Sequence, residues 1–511
     1  MVQSSSKEAQ LRTNEIHPIA RPIGRSTQEK PNCGLAFEKV PCTVSLRSKR
    51  MNEITIIGGG LAGSEAAWQA AERGLRVGLY EMRPHTPTGV HTGSSLAELV
   101  CSNSLGSSQL NRASGMLKEE LRRLDSLLLV CAEGAALPAG TALAVDRETF
   151  SRCVTEKITA HPNIRLIREE VREVPAGPVV IASGPLTSPT LARAIQACTG
   201  QEHLFFFDAI APVVKAETID MTIAFRASRY EVSEERTPGG QNEGDYINCP
   251  VDQETYLQFV DALLEAQRIP LREFEAPIAD GVRAGAGEFF EGCLPVEVLA
   301  ARHPKALSFG PMRPVGLKDP RTGRGPYAVV QLRQDNLAGT LYNLVGFQTN
   351  LTYSEQQRVL RMIPGLEQAE FARFGQMHRN TYIASPLVLN PTLQLRSRPD
   401  LFFAGQITGV EGYMGNIATG LLAGINMARL LEGFAPVAPP ETSMLGALLR
   451  YITQAPAQEF QPMKAIFGIL PPLPAPFRTR RERALQYVTR GLDDFDRWAS
   501  DHAVTQPQRE Q

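Results

Sequence analysis

Apolar and polar positions alternate along the chain in blocks that predict its elements. Ile54, Ile56 and Ile57 form a short apolar run, long enough for one buried parallel strand. An alanine-rich stretch from Ser64 to Arg73 predicts a helix that stops at Gly74. Val77 to Tyr80 predict a second buried strand. Leu117, Leu121, Leu124 and Leu128 share one stripe of a long amphipathic helix, with Lys118, Glu119, Arg122 and Arg123 away from it. Asp146-Arg147-Glu148 opens another helix, residues 164–174 read as strands, and Pro178 to Gly184 reads as a buried strand ending in small residues. From about residue 205 the rhythm changes to short strands, such as 205–207 and 222–225, separated by loops such as 237–240. Residues 352–375 return to a helical pattern. Pro399 to Gln406 predicts a strand ending in glycine and a polar residue, followed by a small-residue helix over 417–430. Residues 436–440 form a proline-rich linker, and 441–500 read as helices broken by the prolines of 471–476.

This order predicts an α/β chain: a discontinuous Rossmann-type nucleotide domain from residues 51–210 and 336–440, an inserted α+β domain over 211–335, and a C-terminal helical segment over 441–500. At 511 residues, 43% hydrophobic and 21% charged, the composition is that of a globular chain of two or three domains. No apolar run reaches the roughly 18–20 residues of a membrane span, so no membrane partner is expected. The net charge of −1 provides no overall pull on a polyanion, so any nucleic-acid contact must come from local basic patches. The eight cysteines, at 33, 42, 101, 131, 153, 198, 249 and 293, lack metal-ligand spacing. They are expected to be reduced thiols in a cytosol, with no metal. Residues 1–50 carry nine Lys/Arg against four Asp/Glu and show no sustained apolar period. They are expected to be a disordered basic extension, or sequence upstream of a true start at Met51. A transit peptide would also be basic and Ser-rich, but the four acids argue against it.

The first strand runs into Gly58-Gly59-Gly60-Leu61-Ala62-Gly63, and Glu81 ends the second strand. This is the pattern of a dinucleotide site. Gly58 allows a tight turn, Gly60 lets the backbone approach a pyrophosphate, Gly63 lets the helix pack on the strand, and Glu81 is placed to accept from a ribose hydroxyl. The helix N-terminus offers free N–H groups to phosphate. Near the far end, Gly405 and Gln406 close a strand, and Glu411-Gly412-Tyr413 lead into a second helix. A second helix N-terminus aimed at the cofactor suits an extended FAD better than NAD.

Three cysteines stand beside polar or glycine-containing turns: Cys101 before Ser102-Asn103-Ser104, Cys249 in Tyr246-Ile247-Asn248-Cys249-Pro250, and Cys293 in Phe289-Phe290-Glu291-Gly292-Cys293-Leu294-Pro295. A thiol held on a turn can serve as a nucleophile. A single cysteine is more often a buried small hydrophobe, so spacing alone leaves the three unranked. Two basic stretches, Arg313 to Arg324 and Arg478 to Arg483, suit RNA phosphates or a solvated charged surface equally well.

Eight ordered segments together resemble one family: residues 58–68, Tyr-Glu-Met-Arg-Pro (80–84), Glu-Leu-Val-Cys-Ser-Asn-Ser (98–104), Tyr-Ile-Asn-Cys-Pro (246–250), Phe-Glu-Gly-Cys-Leu-Pro (290–295), 309–317, His-Arg-Asn-Thr-Tyr-Ile (378–383) and 404–413. The chain from Met51 to about residue 490 resembles the folate- and FAD-dependent tRNA (uracil-5-)-methyltransferases. The resemblance implies formation of 5-methyluridine at position 54 of the tRNA T-loop. It implies 5,10-methylenetetrahydrofolate as carbon donor and NAD(P)H as reductant, working through FAD. It further implies that Cys293 is the uracil-directed thiol and Cys101 the second active-site thiol near the flavin. Thiolate addition at uracil C6 makes C5 enolate-like and able to attack a one-carbon electrophile. Two alternatives share part of this pattern: a flavoenzyme that adds an aminomethyl-type group to the wobble uridine of tRNA, and a small-molecule flavin oxidoreductase. The segment at 290–295 argues against the first, and the paired thiols with RNA-facing basic loops against the second.

Overall fold

The computed structural model describes residues 53–88, 90–229, 244–269, 294–474 and 476–505. The expectations for residues 1–50, for the loop at 237–240 and for the segment carrying Cys293 lie outside the described residues.

Two sheets organise what is described. The first has six strands, in the order Gln394–Leu395, Arg398–Phe403, Val179–Ile181, Glu53–Ile57, Arg76–Tyr80, Ile164–Ile167. All neighbours are parallel except the outermost pair, 394–395 with 398–403. Parallel strands with both faces covered read as continuous apolar runs, and Ile54, Ile56, Leu79, Val180 and Phe402 are all buried here. The register places Ile57 beside both Tyr80 and Ile181, and Ile181 beside Phe403. Four strands therefore end together, and the residues that follow them converge at one edge, where open α/β sheets bind ligands.

Helix Leu61–Glu72 lies against the long helix Tyr413–Glu432. Small residues make the approach possible. A Cβ on Gly420 would stand 2.2 Å from the Ala62 carbonyl oxygen, and one on Gly424 2.5 Å from that of Ala66. The opening of the second half of the chain is thus locked onto the opening of the first.

The second sheet is antiparallel, in the order Phe225–Ala227, Tyr246–Val251, Ala328–Gln334, Leu341–Leu344, Val213–Lys215, Phe371–Arg373. It has its own core, with Tyr256, Phe259 and Leu263 of helix Gln253–Glu265 among its members. The sheet takes in strands beyond residue 335, so the inserted region extends to about Arg373. The chain leaves for it along Leu204–Ala209 and returns along Met377–Tyr382, and these two strands pair antiparallel.

Several local expectations change. The leucine-striped helix is two helices, Ala113–Arg123 and Leu127–Gly134, broken where Asp125 adopts φ 54° and Ser126 caps the second by accepting from Leu129 N–H. Lys118 is buried rather than solvated, because its ammonium donates to the carbonyls of Leu105, Gly106 and Ser107. The helix expected over 352–375 is only Tyr353–Leu360; Gly365, after Pro364, has φ 90°. The strand after residue 164 stops at Ile167, where its partner strand ends. Phe225 starts a strand rather than ending one, since Asp220 holds a turn by accepting from the Thr222 backbone and hydroxyl. The helix expected over 417–430 spans Tyr413–Glu432, and the C-terminal segment holds helices Met444–Gln454 and Arg480–Asp501.

Candidate active site

Where the parallel strands end, a partly open cleft forms. Its walls include Gly58, Gly60, Leu61, Ala62 and Glu81 from the first half and Gly405, Gln406 and Tyr413 from the second. The glycines divide the work. Gly58 has φ 104°, and a Cβ there would lie 2.5 Å from the Ala182 carbonyl oxygen. A Cβ on Gly63 would fall 1.8 Å from the Gly58 carbonyl oxygen, so this residue sets the helix against the turn. Gly59 packs on Leu96 and Glu81, whereas Gly60 faces open space with nothing within 4 Å of a Cβ. Glu411 and Gly412 shape the approach to the second helix rather than line the cleft: Glu411 accepts from Gln406 Nε2 at 2.8 Å, and Gly412 turns the chain with φ 85°.

Glu81 is buried and held from two sides. Gly59 N–H donates to Oε2 at 2.9 Å, and the Arg83 backbone and Nε donate to Oε1 at 3.0 and 2.9 Å. Burial opposes its charge, yet these donors together hold the carboxyl below its ordinary value. A carboxylate has room for further donors, so a ribose hydroxyl still has an acceptor here. Arg83 also reaches Glu98 at 2.9 Å. His91 lines the same wall; burial, reinforced by Arg83, pushes it down to about 4, which leaves a neutral imidazole at pH 7.

The residues fit an extended dinucleotide. Helices Leu61–Glu72 and Tyr413–Glu432 both begin at glycines with no side-chain cap, so their first N–H groups lack intrahelical partners beside the cleft. Asn416, in the first turn of the second helix, lines the cleft, and its buried Oδ1 has no hydrogen-bond partner. A buried polar atom left over at a cavity wall points to a ligand. Asn416, Arg83, Glu98 and His91 were not singled out from the sequence. Of these, only the Asn in the first turn of a small-residue helix carried a local signal.

Cys101 stands at the seam between the two regions. Its N–H donates to the Tyr413 hydroxyl at 2.9 Å, and Tyr413 lines the cleft. Its Sγ lies 4.0 Å from the carbonyl of Ala209, at the end of the outgoing strand. Its own carbonyl accepts from Arg147 Nη2 at 3.0 Å. Cys249 is different: it lies within strand Tyr246–Val251, fully buried, and burial pushes its thiol up to about 12. It is a core residue and not on a turn. The cations Arg313, Lys318, Arg321 and Arg324 are exposed, as are Arg478, Arg480, Arg481 and Arg483. Arg321 is tied to Asp319 at 2.7 Å. Among the described residues, no three His, Cys, Asp or Glu side chains gather as metal ligands, and no helix is long and apolar enough to cross a membrane.

Residues 53–435 match the family model described as Glucose inhibited division protein A. The methylenetetrahydrofolate--tRNA-(uracil-5-)-methyltransferase TrmFO of Heliobacterium modesticaldum is 54% identical over 453 residues, covering 88% of this chain and 99% of that protein. The protein of the same name from Symbiobacterium thermophilum is 56% identical over 453 residues, covering 88% and 97%. Among solved structures, Aquifex aeolicus GidA in its form II crystal superposes with a TM-score of 0.61 at 16% identity, over 89% of this chain and 74% of that chain, a likeness of fold alone. Nearly the whole of both curated relatives aligns at more than half identity, and the chain belongs to the family of methylenetetrahydrofolate--tRNA-(uracil-5-)-methyltransferases.

Proposed function

We propose that this protein forms 5-methyluridine at position 54 of the tRNA T-loop, with 5,10-methylenetetrahydrofolate as carbon donor and NAD(P)H as reductant, and that it works in the cytosol with reduced thiols. The observation that carries this reading is the placement of Cys101. It joins the dinucleotide cleft, through Tyr413, to the seam with the inserted region. Bound FAD supplies the hydride and one-carbon transfer chemistry. Gly60 and the two helix N-termini hold its phosphates, Glu81 takes a ribose hydroxyl, and Asn416 offers a further acceptor. Cys293, outside the described residues, is the thiol assigned to uracil C6. Addition there raises electron density at C5. The target uridine must leave the folded T-loop, at a cost of a few kcal/mol that phosphate contacts offset.

The test uses yellow, purified protein with unmodified tRNA, labelled methylenetetrahydrofolate and NADPH. Label in 5-methyluridine at position 54 is expected. Label in a wobble uridine, or oxidation of NADPH with no label in tRNA, would sink the reading in favour of one of its two rivals.

A further inference from the structure

Behind Cys101, two arginines from distant parts of the chain, Arg147 and Arg373, reach toward the carboxylate of Asp335, and a third, Arg333, lies nearby. Arg147 opens helix Arg147–Ala160, Arg333 lies on strand Ala328–Gln334 with Asp335 just after it, and Arg373 ends the edge strand Phe371–Arg373. Arg147 is fully accounted for: it donates to the carbonyls of Leu99 and Cys101 and to Asp335 Oδ1 at 3.2 and 3.3 Å. Arg333 is buried and donates through Nε to Asn103 Oδ1 at 2.9 Å. Arg373 is the exception. Its Nη2 is 4.0 Å from Asp335 Oδ2, too far for a hydrogen bond, and its Nε and Nη2 are buried without any acceptor.

Two guanidiniums share the Asp335 carboxylate and a third lies nearby, which leaves an excess of positive charge in a partly buried place. Burying such charge is costly unless something balances it. Beside Arg373 in the chain, Phe371 and Phe374 stack at 5.3 Å, and Phe374 stacks on Tyr353 at 4.9 Å. The Arg373 side chain is 31% exposed, so an anion can reach it from outside, and a guanidinium fork matches two oxygens of an anion.

We propose that Arg373, with Arg333 beside it, binds an oxyanion of a substrate delivered next to Cys101. Given the function proposed above, that oxyanion is a tRNA phosphate or the glutamate carboxylate of folate, and the same chemistry serves either. The holoenzyme and its Arg373→Gln variant, both checked for FAD content and melting temperature, are compared in two binding assays. One titrates unmodified tRNA across a salt series. The other follows the flavin spectrum with tetrahydrofolate and with tetrahydropteroate, which lacks the glutamate. If a phosphate docks here, the variant binds tRNA about tenfold more weakly and the salt slope falls by about one, with the folate-to-pteroate preference unchanged. If the carboxylate docks here, that preference collapses about tenfold while tRNA binding holds. Should Arg373→Gln fail to fold, Arg373→Lys keeps the charge but loses the fork, and shifts the same readout several-fold in the same direction. Unchanged tRNA binding together with an unchanged folate preference would overturn the proposal. A wild type that makes no 5-methyluridine, but whose variant shows either shift, would break the functional reading and leave this site standing.

Discussion

The dinucleotide cleft and the thiol seam lie side by side but are built in opposite ways. The cleft is made of backbone: a glycine turn, two uncapped helix starts and the ends of four strands in register. The seam is made of side chains gathered from residues 101, 147, 333, 335 and 373. A site made of backbone demands particular residues at fixed short spacings, because only glycine satisfies a contact such as that of Gly63 with Gly58. A site made of side chains demands only that the fold bring them together, and leaves no spacing to read.

The sharpest way to break this contrast is within the glycine turn. Gly63→Ala places a Cβ against backbone that cannot move aside, so a stability loss of about 3 kcal/mol or more and colourless protein are expected. Gly60→Asp, at an open position with φ −76°, should keep its melting temperature as apoprotein and lose FAD through charge repulsion and lost space. Equal destabilisation by both substitutions, measured by chemical denaturation of the apoproteins, would show that Gly60 is structural as well.

A smaller effect separates the two cysteines. Cys249→Ser buries a hydroxyl among Ile247, Val251 and Val330 and should cost about 1–3 kcal/mol, with turnover per folded molecule intact. Loss of turnover at unchanged stability would return Cys249 to the list of working thiols.

The smallest effect is one of pH. His91 is held at about 4 in the folded protein against about 6.5 when unfolded. Between these values the unfolded chain binds the extra proton, so stability falls as pH drops from 6.5 to 4 and levels off below. His91→Gln should flatten the apoprotein's denaturation midpoint across that window. An unchanged slope in the variant would mean that His91 is already charged in the cleft.

How much could be read in advance follows the same division. The strand, turn, helix and acid from Ile54 to Glu81 were legible because each step is local. The break at Asp125 was not, because the leucine stripe continues across it, and Ser126 looks like any helix serine until its cap is seen. Lys118 looked solvated because its three carbonyl partners come from a separate segment. Cys249-Pro250 looked like a turn, but strand Phe225–Ala227 pairs only as far as Asn248, so Pro250 sits where a missing N–H goes unnoticed. Arg373 carried no signal at all: its meaning depends on Arg147 and Asp335, 226 and 38 residues away.

The central claim is that chemistry passes between cleft and seam at Cys101. The direct measurement is a single turnover of Cys101→Ala holoenzyme with labelled methylenetetrahydrofolate, reductant and bound tRNA. The expected result is full FAD content, tRNA affinity within a factor of about two, and methyl transfer slowed by roughly 10²–10⁴. Methyl transfer at the wild-type rate, with FAD and tRNA both bound, would contradict the account.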